Sequence, residues 1–223
     1  MDANEVMHEL QALGTEQNRK IYRRHGIGEN MFGVSYANLG ALKKKIKTDH
    51  ALAQALWASG NHDARVLATM IADPAQMTDR DLEAWAKDLD NYAIVDNFVG
   101  LAAKTAFVRK KAGQWSKSKD EWIGRAGWHL VGQLAMRDPD LPDDDFEARL
   151  AVIERDIHTR KNRVREAMNN TLIAIGIRNA ALQKKAIAAA RRIGAVDVDH
   201  GETGCKTPDA VPYILKAVAR KKK

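Results

Sequence analysis

The sequence predicts an all-α fold, a superhelix of antiparallel helix pairs forming one domain over residues 1–223, and three observations carry that expectation. Ala, Leu, Lys, Glu and Arg dominate nearly every segment, all of them good helix formers. Runs of β-branched residues bounded by turn signals, the mark of strands, are absent. Breaks rich in Gly, Pro, Asn and Asp recur along the chain and leave apolar-periodic stretches of roughly 10 to 16 residues between them.

In chain order, MDANEVMHELQAL already has the spacing of an amphipathic helix, and GIGEN at 26–30 closes the N-terminal helices. Helices are then expected in consecutive pairs: 37–47 with 49–59, 62–72 with 79–88, 90–104 with 105–113, 119–135 with 146–157, and 161–175 with 179–192. The breaks fall at SGN (59–61), DPAQMTD (73–79), RDPDLPDDD (137–145), IGIRN (175–179) and DHGETGCKTP (199–208). Thr78 ahead of Asp79 and Asp81 is a helix-start signal, as is Thr207 ahead of Pro208 and Asp209. A period of roughly 30 to 45 residues per helical pair fits a HEAT-like α-solenoid. An irregular all-α domain is the alternative on spacing alone. The last residues, 216–223, read as a basic, flexible tail.

Composition narrows the function classes. The chain has 36 Lys and Arg against 29 Asp and Glu, a formal charge of +7, which favours polyanionic partners, nucleic acid first. A single cysteine excludes an internal disulfide framework and fits a reducing, cytoplasmic setting. No apolar run approaches the roughly 18 residues of a membrane helix, so no membrane partner is expected. Phosphate loops, dinucleotide fingerprints and nucleophile elbows are missing, which disfavours nucleotide-driven chemistry. Many cations sit on or beside the later helices, among them Arg109, Lys161, Arg163, Arg165, Lys184, Lys185, Arg191 and Arg192. They outline either a basic groove or the solvated faces of amphipathic helices.

Two charges stand among apolar residues. In DNYAIVDNFVG (90–100), Asp96 shares a helix face with Tyr92, Val99 and Gly100, while Ile94, Val95 and Phe98 cover the other side. A buried carboxylate there would need hydrogen bonds or a cation. In EWIGRAGWH (121–129), Arg125 stands between Trp122 and Trp128. The two charges read either as a buried structural salt bridge or as the flanks of a site for a developing cation or a bound anion. His25 and His62 are weak candidates for a catalytic base.

Four stretches carry a resemblance. FGVSYANLGALKKKI (32–46), ALAQALWASGNHDARVLATMIAD (51–73), NYAIVDNF (91–98) and EWIGRAGWH (121–129) together resemble the DNA alkylation repair family of HEAT-like proteins, the AlkD-type alkylpurine DNA glycosylases. The likeness covers roughly residues 20 to 190. It implies a cofactor-free, metal-free monomer that binds double-stranded DNA and hydrolyses the N-glycosidic bond of cationic N3- or N7-alkylated purines. The family's catalytic aspartate falls on Asp96 and its DNA-contacting arginine on Arg125. Its aromatic before the aspartate, a tryptophan in active members, is Tyr92, and Tyr22 roughly matches another DNA-facing aromatic. Trp122, Lys161, Arg163 and Arg165 join the implied DNA contacts. A second expected tryptophan falls near Asn170, a departure from the active pattern. Two alternatives therefore stand beside the glycosylase: a catalytically inactive DNA-binding HEAT-like protein, and a protein-interaction scaffold.

The segment 196–214 belongs to none of this. Asp197, Asp199, His200, Glu202 and Cys205 cluster there without the spacing of a metal site, and Cys205 ahead of a helix could be a reactive thiol. A polar turn capping the last repeat is the favoured reading.

Overall fold

A computed structural model describes residues 1–221, and it contains thirteen α-helices and one 3₁₀ turn among them, with no strand. The chain divides into two compact units, residues 1–107 with 201–203, and residues 108–200 with 204–223. Lys222 and Lys223 lie outside the described residues.

The first unit holds α1 (Ala3–Leu13), α2 (Glu16–Arg24), α3 (Tyr36–Ile46), α4 (His50–Ala58), α5 (His62–Ile71), α6 (Asp79–Lys87) and α7 (Tyr92–Ala102). Each start is written locally, because every one of these helices has a side-chain N-cap: Asp2, Thr15, Ser35, Asp49, Asn61, Thr78 and Asn91. Thr78 and Asp81 form the reciprocal capping box that the break at 73–79 implies. Helix α5 packs against α3, α4 and α7. Beside it the Trp57 and Trp85 rings stack 4.1 Å apart and nearly parallel. Arg65 lies over the Trp57 ring and pairs with Asp88 at 3.3 Å.

One buried carboxylate organises this unit. Asp63 is fully buried and accepts the backbone N–H groups of Phe32 (2.6 Å), Gly33 (3.0 Å) and Val34 (2.9 Å). Gly33 adopts φ +81, and a Cβ there would meet Arg19 Cγ and Thr15 O at 2.6 Å, so the strap needs glycine. Three donors convert a costly buried charge into the anchor of the segment entering α3.

The second unit holds α8 (Val108–Trp115), α9 (Glu121–Arg137), α10 (Asp143–Asp156), the 3₁₀ turn Ile157–Thr159, α11 (Asn162–Arg178), α12 (Ala180–Ile193) and α13 (Ala210–Lys221). Helices α9 and α11 make its closest association. Gly127 lets α9 press on α8, since a Cβ there would stand 2.1 Å from Ser116 N. Arg178 holds the end of α9 by donating to the carbonyls of Ala135 (3.0 Å) and Asp138 (2.8 Å).

The helix boundaries fall within a few residues of those expected, but three readings change. Hairpin partners do not all follow the expected phase: α4 packs on α5 and α8 on α9, whereas α11 packs on α12 as expected. The last helix starts at Ala210, not Pro208, because Thr207 Oγ1 meets His200 at 2.9 Å and Asp209 takes the Val211 N–H at 3.1 Å instead. Residues 216–221 of the expected tail continue α13, with Ile214 fully buried in its first half.

Candidate functional site

Four helices of the first unit enclose a pocket of about 280 Å³ lined by Ile21, Tyr22, His25, Ile27, Tyr36, His62, Tyr92, Ala93, Asp96 and Asn97. Its geometry follows from a repeated local motif. Tyr36, His62 and Tyr92 are each the first residue of their helix, and each follows a side-chain cap, Ser35, Asn61 and Asn91. An aromatic ring at the first helical position is thus presented three times, and the three helix starts meet at one place.

The rings are held by polar contacts. Tyr22 O–H donates to the Val34 carbonyl at 2.5 Å, on the strap that Asp63 anchors. Burial, helped by the Asp63 charge, pushes the Tyr22 hydroxyl up to about 12, so it remains a donor at any working pH. Tyr22 also meets the His62 ring edge-on at 5.9 Å. His25 Nδ1 and the Tyr92 hydroxyl share a short hydrogen bond, their ring centroids 5.9 Å apart. Asn97 donates from its amide to the Tyr36 hydroxyl at 2.9 Å, which joins α7 to α3 at the pocket. Burial lowers the His62 pKa against the pull of Asp63 and Asp90, keeping the ring neutral. Burial raises the Tyr36 hydroxyl, and the nearby Asp96 charge adds to that.

Asp96 differs from expectation in one respect. It is exposed, on the same open side of α7 as Ala93, Asn97 and Gly100, whereas Val99 turns into the core. Water solvates this carboxylate, so the burial cost that would call for a counter-ion does not arise. The site is an open, aromatic-walled pocket with a carboxylate at its edge.

Arg125 is enclosed between helices. Its side chain is only 2% exposed, and Nη1 donates to Glu166 at 2.7 Å and to the Arg163 carbonyl at 3.3 Å. Arg163 pairs with the same Glu166 oxygen at 3.1 Å and lies 3.4 Å from His200 Nδ1. Burial alone would raise Glu166, but the two guanidinium groups hold it below the usual carboxylate range. The guanidinium is thus enclosed and engaged by Glu166, a partner the sequence left unnamed.

The remaining expected contacts all lie in the second unit. Lys161 is exposed at the start of α11, Arg165 is half-buried with Nη2 3.4 Å from Asn162, and Trp122 and Asn170 are half-buried. Several cations expected to outline a basic groove are neutralised: Lys185 by Glu147, Arg192 by Glu154 and Arg109 by Asp138. Lys184 and Arg191 stay exposed. The segment 196–209 is tied to α11, since the Asn162 side chain exchanges hydrogen bonds with the Asp199 backbone at 2.7 and 2.8 Å. Among the described residues no group of three His, Cys, Asp or Glu side chains is placed to hold a metal ion.

The sequence left Tyr36 and Asn97 unnamed, and His25 and His62 stood there only as weak candidates for a catalytic base. The signal was present as three dipeptides, Ser35-Tyr36, Asn61-His62 and Asn91-Tyr92, each a cap followed by an aromatic ring.

Comparison with known proteins gives this geometry its context. A family described as "DNA alkylation repair enzyme" matches residues 6–214. An uncharacterized protein of Listeria innocua is 30% identical over 220 residues, 94% of either chain. One of Listeria monocytogenes is 30% identical over 225 residues, 96% of either chain. A solved structure from "a new family of proteins related to the HEAT-like repeat DNA glycosylases with affinity for branched DNA structures" superposes with a TM-score of 0.90 and 32% identity, covering 99% of this chain and 95% of that one. The all-α fold is therefore of the HEAT-like repeat type.

Proposed function

Because the chain belongs to the DNA alkylation repair enzyme family, we propose that it binds DNA and hydrolyses the N-glycosidic bond of cationic N3- or N7-alkylated purines. One observation carries the reading: the exposed carboxylate of Asp96 stands at the edge of a pocket walled by Tyr22, Tyr36 and Tyr92. A nucleotide presents three chemistries, and the pocket has a group for each. Three helix starts offer partial positive charge to a flanking phosphate. Tyrosine faces attract a cationic base or sugar, worth roughly 0.5–2 kcal/mol per ring. The carboxylate faces the sugar.

The reaction needs little acid catalysis. As the C1′–N bond of the alkylated purine breaks, its electron pair neutralises the departing base, which leaves without a proton. The sugar becomes an oxocarbenium ion, stabilised by the Asp96 charge. Water then adds to C1′, and its proton passes to the Asp96 carboxylate. Neutral His62 and the Tyr22 hydroxyl shape the wall without adding positive charge. No cofactor enters this scheme. A monomeric, cytoplasmic protein is part of the same proposal.

A second reading has its own support. With Arg125 enclosed, Asn170 at the second expected aromatic and a structural relative with affinity for branched DNA, the protein would bind DNA without chemistry. The deciding experiment is base release from duplex DNA carrying N7-methylguanine, unaltered protein beside Asp96→Asn. Release that falls by orders of magnitude in the variant supports the glycosylase. No release from either, with salt-sensitive binding to duplex or four-way junction DNA, favours the second reading. No DNA binding at about 0.15 M salt leaves the scaffold.

A further inference from the structure

Lys47, which ends α3, adopts φ +68 and ψ −134, a backbone conformation that glycine takes freely and that strains a residue with a Cβ. Among the described residues it is the single non-glycine with positive φ. Its backbone N–H still closes the helix on the Lys43 carbonyl at 2.8 Å, so the chain needs this turn and places a lysine in it.

The surroundings suggest why. Helices α3, α5 and α7 all start at the pocket, and α5 packs against both of the others. Their far ends therefore point away from it. On α3 the side that carries Tyr36 continues through Gly40 to Lys43 and Lys47, spaced by helical turns. On α7 the side that carries Asp96 continues through Gly100 to Lys104 just past the helix end. A Cβ at Gly40 or Gly100 would meet nothing within 4 Å, so open space separates the pocket from the lysines. All three lysines are exposed, and among the described residues none of them makes an ion pair, while neighbouring Lys45 pairs with Glu9 at 3.1 Å. Favourable interaction with the helix dipole accounts for lysine near a helix C-terminus. It does not account for one in a strained glycine position.

We infer that Lys43, Lys47 and Lys104 hold the phosphates of the nucleic-acid strand whose nucleotide enters the Tyr22–Tyr36–Tyr92 pocket. At about 1.5 Å per helical residue, Lys43 and Lys47 stand about 10 and 16 Å along α3 from Tyr36 and Lys104 about 12 Å along α7 from Asp96, which at roughly 3.4 Å per nucleotide places the lysines about three to five nucleotides from the one in the pocket. The open sides at Gly40 and Gly100 leave room for the intervening backbone. This inference rests on the DNA-binding part of the proposed function, and is independent of whether base release occurs.

The test compares Lys47→Gly, the triple variant Lys43→Gln/Lys47→Gln/Lys104→Gln, and Lys87→Gln on α6 as a control lysine outside this track. Duplex and four-way junction affinities are measured from about 50 to 200 mM salt, with the Tm of each protein alongside. Lys47→Gly is expected to raise the Tm while weakening DNA binding, a pairing that a purely structural lysine would not produce. The triple variant is expected to flatten the log Kd against log salt slope by about 2.7, roughly 0.9 for each phosphate that is no longer neutralised. Lys87→Gln should leave the slope unchanged. A Lys47→Gly protein of higher Tm with unaltered affinity, or an unmoved slope in the triple variant, overturns the inference while leaving DNA binding standing. Absence of DNA binding by the unaltered protein overturns both.

Discussion

Arg125 and Glu166 meet at 2.7 Å across α9 and α11, with the guanidinium almost wholly removed from solvent. Their association is part of the packing between the two longest helices of their unit.

Breaking that pair from one side should be severe. Glu166→Leu leaves a buried arginine without this carboxylate and is expected to cost about 3–5 kcal/mol, whereas Arg125→Met with Glu166→Leu should cost far less. Urea denaturation of the two singles and the double measures the coupling. Additive costs would contradict the pairing.

Asp63 should be nearly as sensitive. Asparagine keeps one acceptor but turns an amide toward the N–H groups of Phe32, Gly33 and Val34, so Asp63→Asn is expected to lose about 2–4 kcal/mol. Thermal unfolding checks this. Loss of the strap should also free Tyr22 from Val34, visible as faster hydrogen exchange across residues 32–34.

His62 sets the acid limb of stability. Its folded pKa lies below the ordinary value near 6.5 because burial opposes the charge, so the folded state binds fewer protons than the unfolded one. The resulting stability is fully present above about pH 6.5 and is lost as pH falls through the depressed folded value. The Tm should thus decline below roughly pH 6.5 in the unaltered protein and decline less in His62→Gln. Parallel curves for the two proteins would remove His62 from the account.

Tyr92 separates ring from hydroxyl. Tyr92→Phe breaks the hydrogen bond with His25 but keeps the ring, so base release should change by less than about tenfold. Tyr92→Ala removes the face and should cost about 2- to 30-fold more, matching a cation–π contribution of roughly 0.5–2 kcal/mol. Equal losses in both variants would assign the role to the hydroxyl instead.

Helix existence and boundaries were readable from the chain because their causes are local. Caps such as Thr78 with Asp81 and Asn91 satisfy backbone groups within three residues, and glycine and proline punctuate the breaks. The exception at Thr207 has a nonlocal feature: its hydroxyl meets His200, which stands 3.4 Å from Arg163 on another helix.

By itself, then, the sequence determined an all-helical chain of HEAT-like spacing, a basic character, and the tyrosine–aspartate step of Tyr92 and Asp96. Periodicity and charge are properties of neighbours along the chain, and they survive without knowledge of the packing. Tertiary structure alone decided that Asp96 faces solvent and that Arg125 answers Glu166, forty-one residues away. It also gathered Tyr22, Tyr36, His62 and Tyr92 into one pocket. The physical reason is the same in each case: which side of a helix is open, and which charge finds a partner, depends on the elements packed against it.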